Sequence, residues 1–423
     1  MIYFFLLSLF AMLFIGVPVG FAMLASGAMM LAVLGIFDHQ IMAEYFINGA
    51  NNFSLMAIPF FILTGEIMKR GGVSTRIVEF AMSLVGHIRG GLGYVAIISG
   101  LIFAGLSGSA VADTAALGAI LIPMMLSKGY SKKSSTGIIC AVGIIALVMP
   151  PSIPMIVFGV IGGVSITKLF IGGAPVALLM CVGLWLCWRF LYRNSDTPTY
   201  PKRTKAEVWS LFKDAIWALM LPIIIIVGLR GGVFTPTEAG VVAAAYVTII
   251  SVAYRELKLI DMYEIFLSSI KTTGIVMFIA ASAMVSAYAI TVARIPNELA
   301  SLLNSISSNP TVILLIIMVF LLFIGCVMDL VPAILIFAPV LLPVVTGYGI
   351  DPVYFGVLMV INLSIGLITP PIGTVLYVGS SISKIGIGAV ARGVLPFLMV
   401  HVAILMLVVA FPQIILYPIQ LLG

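Results

Sequence analysis

Long apolar runs dominate the chain, and the polar stretches between them are short. Segments such as FFLLSLFAMLFIGV (4–17) and VILLIIMVFLLFIG (312–325) carry no charge. Apolar runs of ~20 residues predict membrane-spanning helices, and a chain of 423 residues has room for roughly ten crossings. In the first half the pattern predicts helices near 1–15, 17–35, 52–70 and 169–192, with one continuous helix over 1–35 as the alternative. A further helix over 132–166 is interrupted at Pro150. Segments 74–89 and 297–309 are too polar or too short to span and read as interfacial arm helices. The polar stretch 193–207 reads as a linker.

One stretch breaks the apolar pattern at its centre. Residues 105–118, GLSGSAVADTAALG, place glycines, serines and Asp113 in the middle of the apolar region 91–127. The basic residues put both ends of that region on one side of the membrane, so it must enter and return, with the polar segment at its tip. Shifting the chain by 220 positions aligns 103–123 with 323–343 without a gap. In that register Gly105 meets Gly325, Pro123 meets Pro343, and Pro150-Pro151 meets Pro370-Pro371. These matches fall on residues that fix backbone geometry. The expected organisation is two repeats, 1–192 and 214–423, joined by a cytoplasmic linker at 193–213. Each holds about five crossings and one re-entrant hairpin, near 91–127 and 311–347, with broken helices over 132–166 and 351–386.

Charge then orients the copies. Lys128, Lys132 and Lys133 occupy one inter-helix turn, whereas the equivalent 348–353 has no basic residue. Basic loops stay cytoplasmic, so equivalent loops lie on opposite faces and the repeats are inverted. Inverted repeats with broken helices are a secondary-transporter design, with the binding site near the midplane. The mean hydropathy of +1.26 and 9% charged residues fit only a polytopic all-α membrane protein. The net charge of +6 sits in loops, so no nucleic-acid partner is expected. Four cysteines in apolar runs read as buried thiols. The first apolar run lacks a basic n-region and reads as a retained helix. Trp188, Trp209 and Trp217 flank the linker and read as membrane-interface anchors or, equally, as anchors for a neighbouring subunit.

Irregular backbone at membrane depth is tolerated where it lines a cavity or is buried in protein. The incoming half-helix, ending near Gly105-Leu106, offers carbonyls to a cation. The outgoing half, starting near Ser109, offers N–H groups to an anion. Ser107 and Ser109 add hydroxyl oxygens, Gly108 allows the turn, and Asp113 stands one turn on. Asp113 either receives a cation or only braces the tip. Pro150-Pro151 frees carbonyls near Ala146 and Leu147, and Pro370-Pro371 does so near Gly366 and Leu367, with Thr369 adding a hydroxyl. The second tip, GCVMDLVP (325–332), has Asp329 at the place of Ser109 and Met328 at that of Gly108. No arginine lies near either tip, so anion recognition is expected to rest on N–H groups, hydroxyls and ions.

Two rival readings use the same residues. Gly105-Leu106-Ser107-Gly108 matches the G-x-S-G of rhomboid-type intramembrane serine proteases, which need a histidine base. His39, His87 and His401 are the only histidines, and Val327 replaces the serine in the second copy. A channel would show a continuous polar stripe rather than two concentrated tips. No enzyme, cofactor or ATP-driven pump is expected.

GLSGSAVADTAALGAILIPMM with MPPSIPMIVFG, and GCVMDLVPAILIFAPVLLPV with NLSIGLITPPIGTVLYV, resemble the large membrane subunit of tripartite ATP-independent periplasmic (TRAP) transporters nearly end to end. The resemblance implies a sodium-coupled importer of an organic acid in the bacterial inner membrane, working as an elevator. Its partners would be a small four-helix membrane subunit, here a separate polypeptide, and a soluble periplasmic substrate-binding protein. One sodium site would use Ser107, Ser109, Asp113 and the backbone at Pro150. The other would use Gly325, Asp329, Gly366 and Thr369. Substrate would meet Ser107, Gly108, Ser109, Met328, Asp329 and Ile372. Sialic acid is the favoured substrate and a C4-dicarboxylate the next. A one-component sodium/organic-anion symporter is the alternative.

Overall fold

The structure, a computed structural model, describes residues 1–195 and 197–422, apart from the side chain of Leu259. Among the described residues the regular elements are helices alone. The first half runs α1 (Ile2–Phe14), α2 (Val19–Val33), α3 (His39–Ala50), α4 (Ala57–Arg70), α5 (Val73–Val85), α6 (Gly91–Ser107), α7 (Ala110–Ser127), α8 (Lys132–Gly143), α9 (Ile153–Gly162) and α10 (Ile166–Tyr192). The second runs α11 (Lys205–Arg230), α12 (Pro236–Ala253), α13 (Leu259–Val292), α14 (Ile295–Ile306), α15 (Pro310–Val327), α16 (Leu330–Gly347), α17 (Pro352–Gly366), α18 (Thr374–Ser383), α19 (Ile387–Ala410) and α20 (Gln413–Leu422). Eight of the described helices are long and apolar enough to cross a membrane, and α3 with 53–70, bent by 46°, would make a ninth span.

Local chemistry sets the boundaries. Gly16, at φ +91°, and Pro18, at the N-cap of α2, separate α1 from α2, so 1–35 is two helices. Thr204 with Glu207 and Thr235 with Glu238 form capping boxes that start α11 and α12. Residues 39–50, between the helices predicted near 17–35 and 52–70, form α3, which Asp38 caps by accepting from the N–H groups of Gln40 and Ile41. The arms α5 and α14 are amphipathic. Val73, Ile77, Ala81 and Val85 of α5 are buried along one stripe, while Glu79 and Leu84 face outward or part-way out.

Two groups of helices result. The long α13 packs against α2, α3 and α4, and α4 also lies along α12. Small residues allow that closeness: a Cβ on Gly27 of α2 would lie 3.2 Å from the Ser286 backbone of α13. The second group holds the α6–α7 and α15–α16 pairs, and its halves interlock. The helix after each proline pair packs on the opposite pair, α9 against α16 and α18 against α7. Likewise α8 packs on α19 and α10 on α17. Neither helix pair therefore has a complete surrounding without the other half of the chain.

One expectation is corrected here. Trp188 is no interface anchor: it is fully buried, and its indole N–H donates to the Gly90 carbonyl at 2.8 Å. Trp209 and Trp217 are exposed, as interface residues are.

Candidate functional site

The first tip is built by α6 ending at Ser107 and α7 beginning at Ala110. Gly108 stands between them at φ +60°, a left-handed conformation that glycine adopts without strain. The incoming helix thus runs one turn fraction beyond the expected Gly105-Leu106. Ser109 is the N-cap of α7, accepting from the Ala112 N–H at 3.4 Å. Its own N–H donates to Ser107 Oγ at 3.2 Å. The Ser107 hydroxyl donates to Asp113 Oδ1. Asp113 is buried, and its Oδ2 finds no hydrogen-bond partner among the described residues. The neighbouring Thr114 hydroxyl is likewise buried and unpartnered there. Sequence reading passed over Thr114, whose single hydroxyl gave no signal beside Asp113.

The first proline pair faces this tip. A Cβ on Gly105 would lie 3.5 Å from the Pro150 carbonyl oxygen, and one on Gly108 would lie 3.0 Å from that of Pro151. Both prolines are buried. The carbonyl of Leu147 is not left free as expected, because the Ser152 hydroxyl donates to it. Ser152 also caps α9, so one side chain repairs both sides of the break.

The second tip differs in detail. Asp329 is the N-cap of α16, the place Ser109 holds in α7, and its Oδ1 accepts from the Leu330 N–H at 2.9 Å. Met328 is extended rather than left-handed. The tip is tied to the second break by the Gly373 N–H, which donates to the Cys326 carbonyl at 3.2 Å. Here the expected free carbonyls are again engaged. Gly366 accepts from the Thr369 N–H at 2.9 Å and Leu367 from the Val375 N–H at 3.2 Å. The Thr369 hydroxyl donates to the Ile365 carbonyl at 2.8 Å. Each of these carbonyl oxygens keeps a second lone pair. Pro370, Pro371 and Ile372 are exposed, so the second break is open where the first is enclosed.

Both tips reach one cavity of about 170 Å³, lined by Ser107, Gly108 and Ser109 from one side and Asp329 and Leu330 from the other. Leu147 and Leu367, one beside each break, also line it. Asp113 stands behind Ser107 rather than on the wall, and Met328, Thr369 and Ile372 lie outside the lining. A further wall is α4: Ile62, Gly65, Glu66 and Lys69 line the cavity at helical spacing. A Cβ on Gly65 would rest 3.6 Å from the Ser107 Cα. Glu66 and Lys69 were not foreseen, because a basic pair at a helix end reads as topology signal and only the fold brings it to the tips.

The protease constellation does not assemble. Ser107 is bonded to a carboxylate, and the ring of the buried His401 is engaged by the Ala141 carbonyl at 3.1 Å.

A polytopic helical protein whose two broken helices and two helix-pair tips converge on one cavity has the makings of a membrane carrier. Residues 6–414 match the family of the tripartite ATP-independent periplasmic transporter, DctM component, and the chain belongs to that family. A Haemophilus influenzae protein named as a TRAP transporter large permease is 64% identical over 94% of this chain and 99% of its own length. The 2,3-diketo-L-gulonate TRAP transporter large permease protein YiaN of Escherichia coli is 48% identical over 96% of each chain. The crystal structure of the YdaH transporter of Alcanivorax borkumensis shares the fold, with a TM-score of 0.64 over 89% of this chain and 88% of that one at 14% identity. The protein is thus a multi-pass component of the bacterial inner membrane with a transport role.

Proposed function

We propose that this chain is the carrier subunit of a sodium-coupled importer that moves an organic acid delivered by a periplasmic binding protein. The observation that carries the reading is the meeting of both tips in one cavity, each with an oxygen-bearing N-cap residue, Ser109 and Asp329. Sodium would lie between tip and break in each half. Ser107, Ser109, Asp113 and the Pro150 backbone would serve the first ion, and Gly325, Asp329, Gly366 and Thr369 the second. The two halves would be inverted repeats. Their hairpins and broken helices would move as one interlocked body against α2, α4, α12 and α13, in the manner of an elevator. A small four-helix membrane subunit would cover exposed scaffold helices.

For the substrate we favour a sugar acid. Sialic acid remains one candidate, and support for the wider class comes from the relative named for 2,3-diketo-L-gulonate at 48% identity. A sialic acid permease of Vibrio cholerae is 39% identical and a C4-dicarboxylate permease of Pseudomonas aeruginosa 38%, which leaves the dicarboxylate as second choice. The test is reconstitution with and without a small subunit and a set of preloaded periplasmic binding proteins. Sodium-driven uptake only with one binding protein is the expected result and identifies the acid. Robust uptake of free acid by this chain alone would instead make it a one-component symporter.

A further inference from the structure

Among the residues lining the cavity between the tips, Lys69 is the one cation, set against the carboxylates Asp329 and Glu66. Its ammonium is paired with Glu66 on the same helix, three residues earlier. The adjacent Arg70 does a different job. It reaches α13, with Glu264 at 2.6 Å and Asp261 at 3.8 Å, and so fastens the end of α4 to the scaffold. Lys69 makes no such inter-helix ion pair among the described residues. A pair between residues three apart on a helix contributes only ~0.2–0.5 kcal/mol. The Lys69–Glu66 pair is therefore easily exchanged for a better partner, and its removal leaves the anchoring of α4 to Arg70. We propose that Lys69 is the receptor for the substrate's carboxylate and that Glu66 holds it in reserve, yielding it when the acid enters. A carboxylate between the tips then meets helix N-termini on one side and an ammonium on the other, while Glu66 repels it until the exchange is made. Because α4 belongs to the scaffold group, this contact exists only while the tips lie beside it.

The inference rests on the carrier reading above, and its test separates the two. K69Q, K69R and E66Q are compared with the unaltered chain in the reconstituted complex, with N-acetylneuraminate and 2,3-diketo-L-gulonate as probes. For whichever acid is carried, K69Q should raise the apparent KM about ten- to a hundredfold, the loss expected for one charge-assisted contact. The sodium half-saturation should stay unchanged. K69R should recover most of the loss, and E66Q should lower KM. Where K69Q takes up nothing, equilibrium binding of the radiolabelled acid to the purified protein in saturating sodium supplies the same comparison. An unchanged KM or binding constant in K69Q overturns the role of Lys69. So does a parallel loss of sodium affinity, which marks a structural effect. Failure of the unaltered complex to take up either acid or a C4-dicarboxylate with sodium would strike the carrier reading itself.

Discussion

Gly325 and Gly366 meet backbone to backbone: a Cβ on Gly366 would lie 2.4 Å from the Gly325 Cα. The end of α17 and the second tip are thus pressed together with no side chain between them. Gly366→Ala should push the break away from the tip. Overpacking of this kind costs about 1–3 kcal/mol. The expected outcome is a protein that still inserts but whose uptake has a sodium half-saturation raised several-fold, measured in proteoliposomes across a sodium series. Unchanged sodium dependence would remove the second break from the ion site.

Asp113 can be asked whether it holds a cation or only braces the first tip. Asparagine keeps an oxygen that can accept from Ser107 but loses the charge, whereas alanine loses both. If Oδ2 serves sodium, Asp113→Asn and Asp113→Ala should both abolish sodium-driven uptake. If bracing is the whole role, Asp113→Asn should transport nearly as the unaltered chain does and Asp113→Ala should not. Ser107→Ala removes the hydrogen bond while keeping the carboxylate, and should weaken coupling less than Asp113→Ala in either case.

The orientation of the two halves is open to chemical labelling. Single cysteines in the 128–133 turn should react with a membrane-impermeant maleimide only from the cytoplasmic side, and those in 348–353 only from the periplasmic side. Reaction of both turns from one side would mean parallel repeats.

Trp188 gives a prediction about stability. Its ring fills the space over Gly93, where a Cβ would lie 1.9 Å from the indole, and stacks on Tyr192 with ring centroids 4.0 Å apart. Trp188→Ala should destabilise the protein by about 3–5 kcal/mol through the cavity it leaves. Trp188→Phe should cost less, losing chiefly the bond to Gly90. Thermal unfolding in detergent measures both, and equal midpoints for Trp188→Ala and the unaltered chain would contradict the packing described.

How legible the sequence was depends on what kind of residue carried the signal. The all-helical membrane fold could be read from hydropathy alone. The places where α6 gives way to α7 and α8 to α9 could be read because Gly108 and the proline pair constrain the backbone wherever they occur. Side-chain partners were less accessible. That Ser152 would claim the Leu147 carbonyl depends on a rotamer, and that Trp188 would be buried depends on α6 lying beside α10. Lys69 was hidden for a different reason. Arg70 and Arg76, near it in sequence, are ion-paired to Glu264 and Glu256, and only the three-dimensional path of α4 separates its role from theirs.

The bare backbone of Gly65 beneath Ser107 bears on speed as well as on fit. Interdigitated side chains must change rotamer before two surfaces can slide, and each such change adds to the barrier. At Gly65 there is nothing to withdraw. In the proposed elevator, the moving tip would leave α4 over a smooth bearing, re-exposing little apolar surface. At that point of contact the energy of the first displacement would be governed by what occupies the cavity rather than by Gly65.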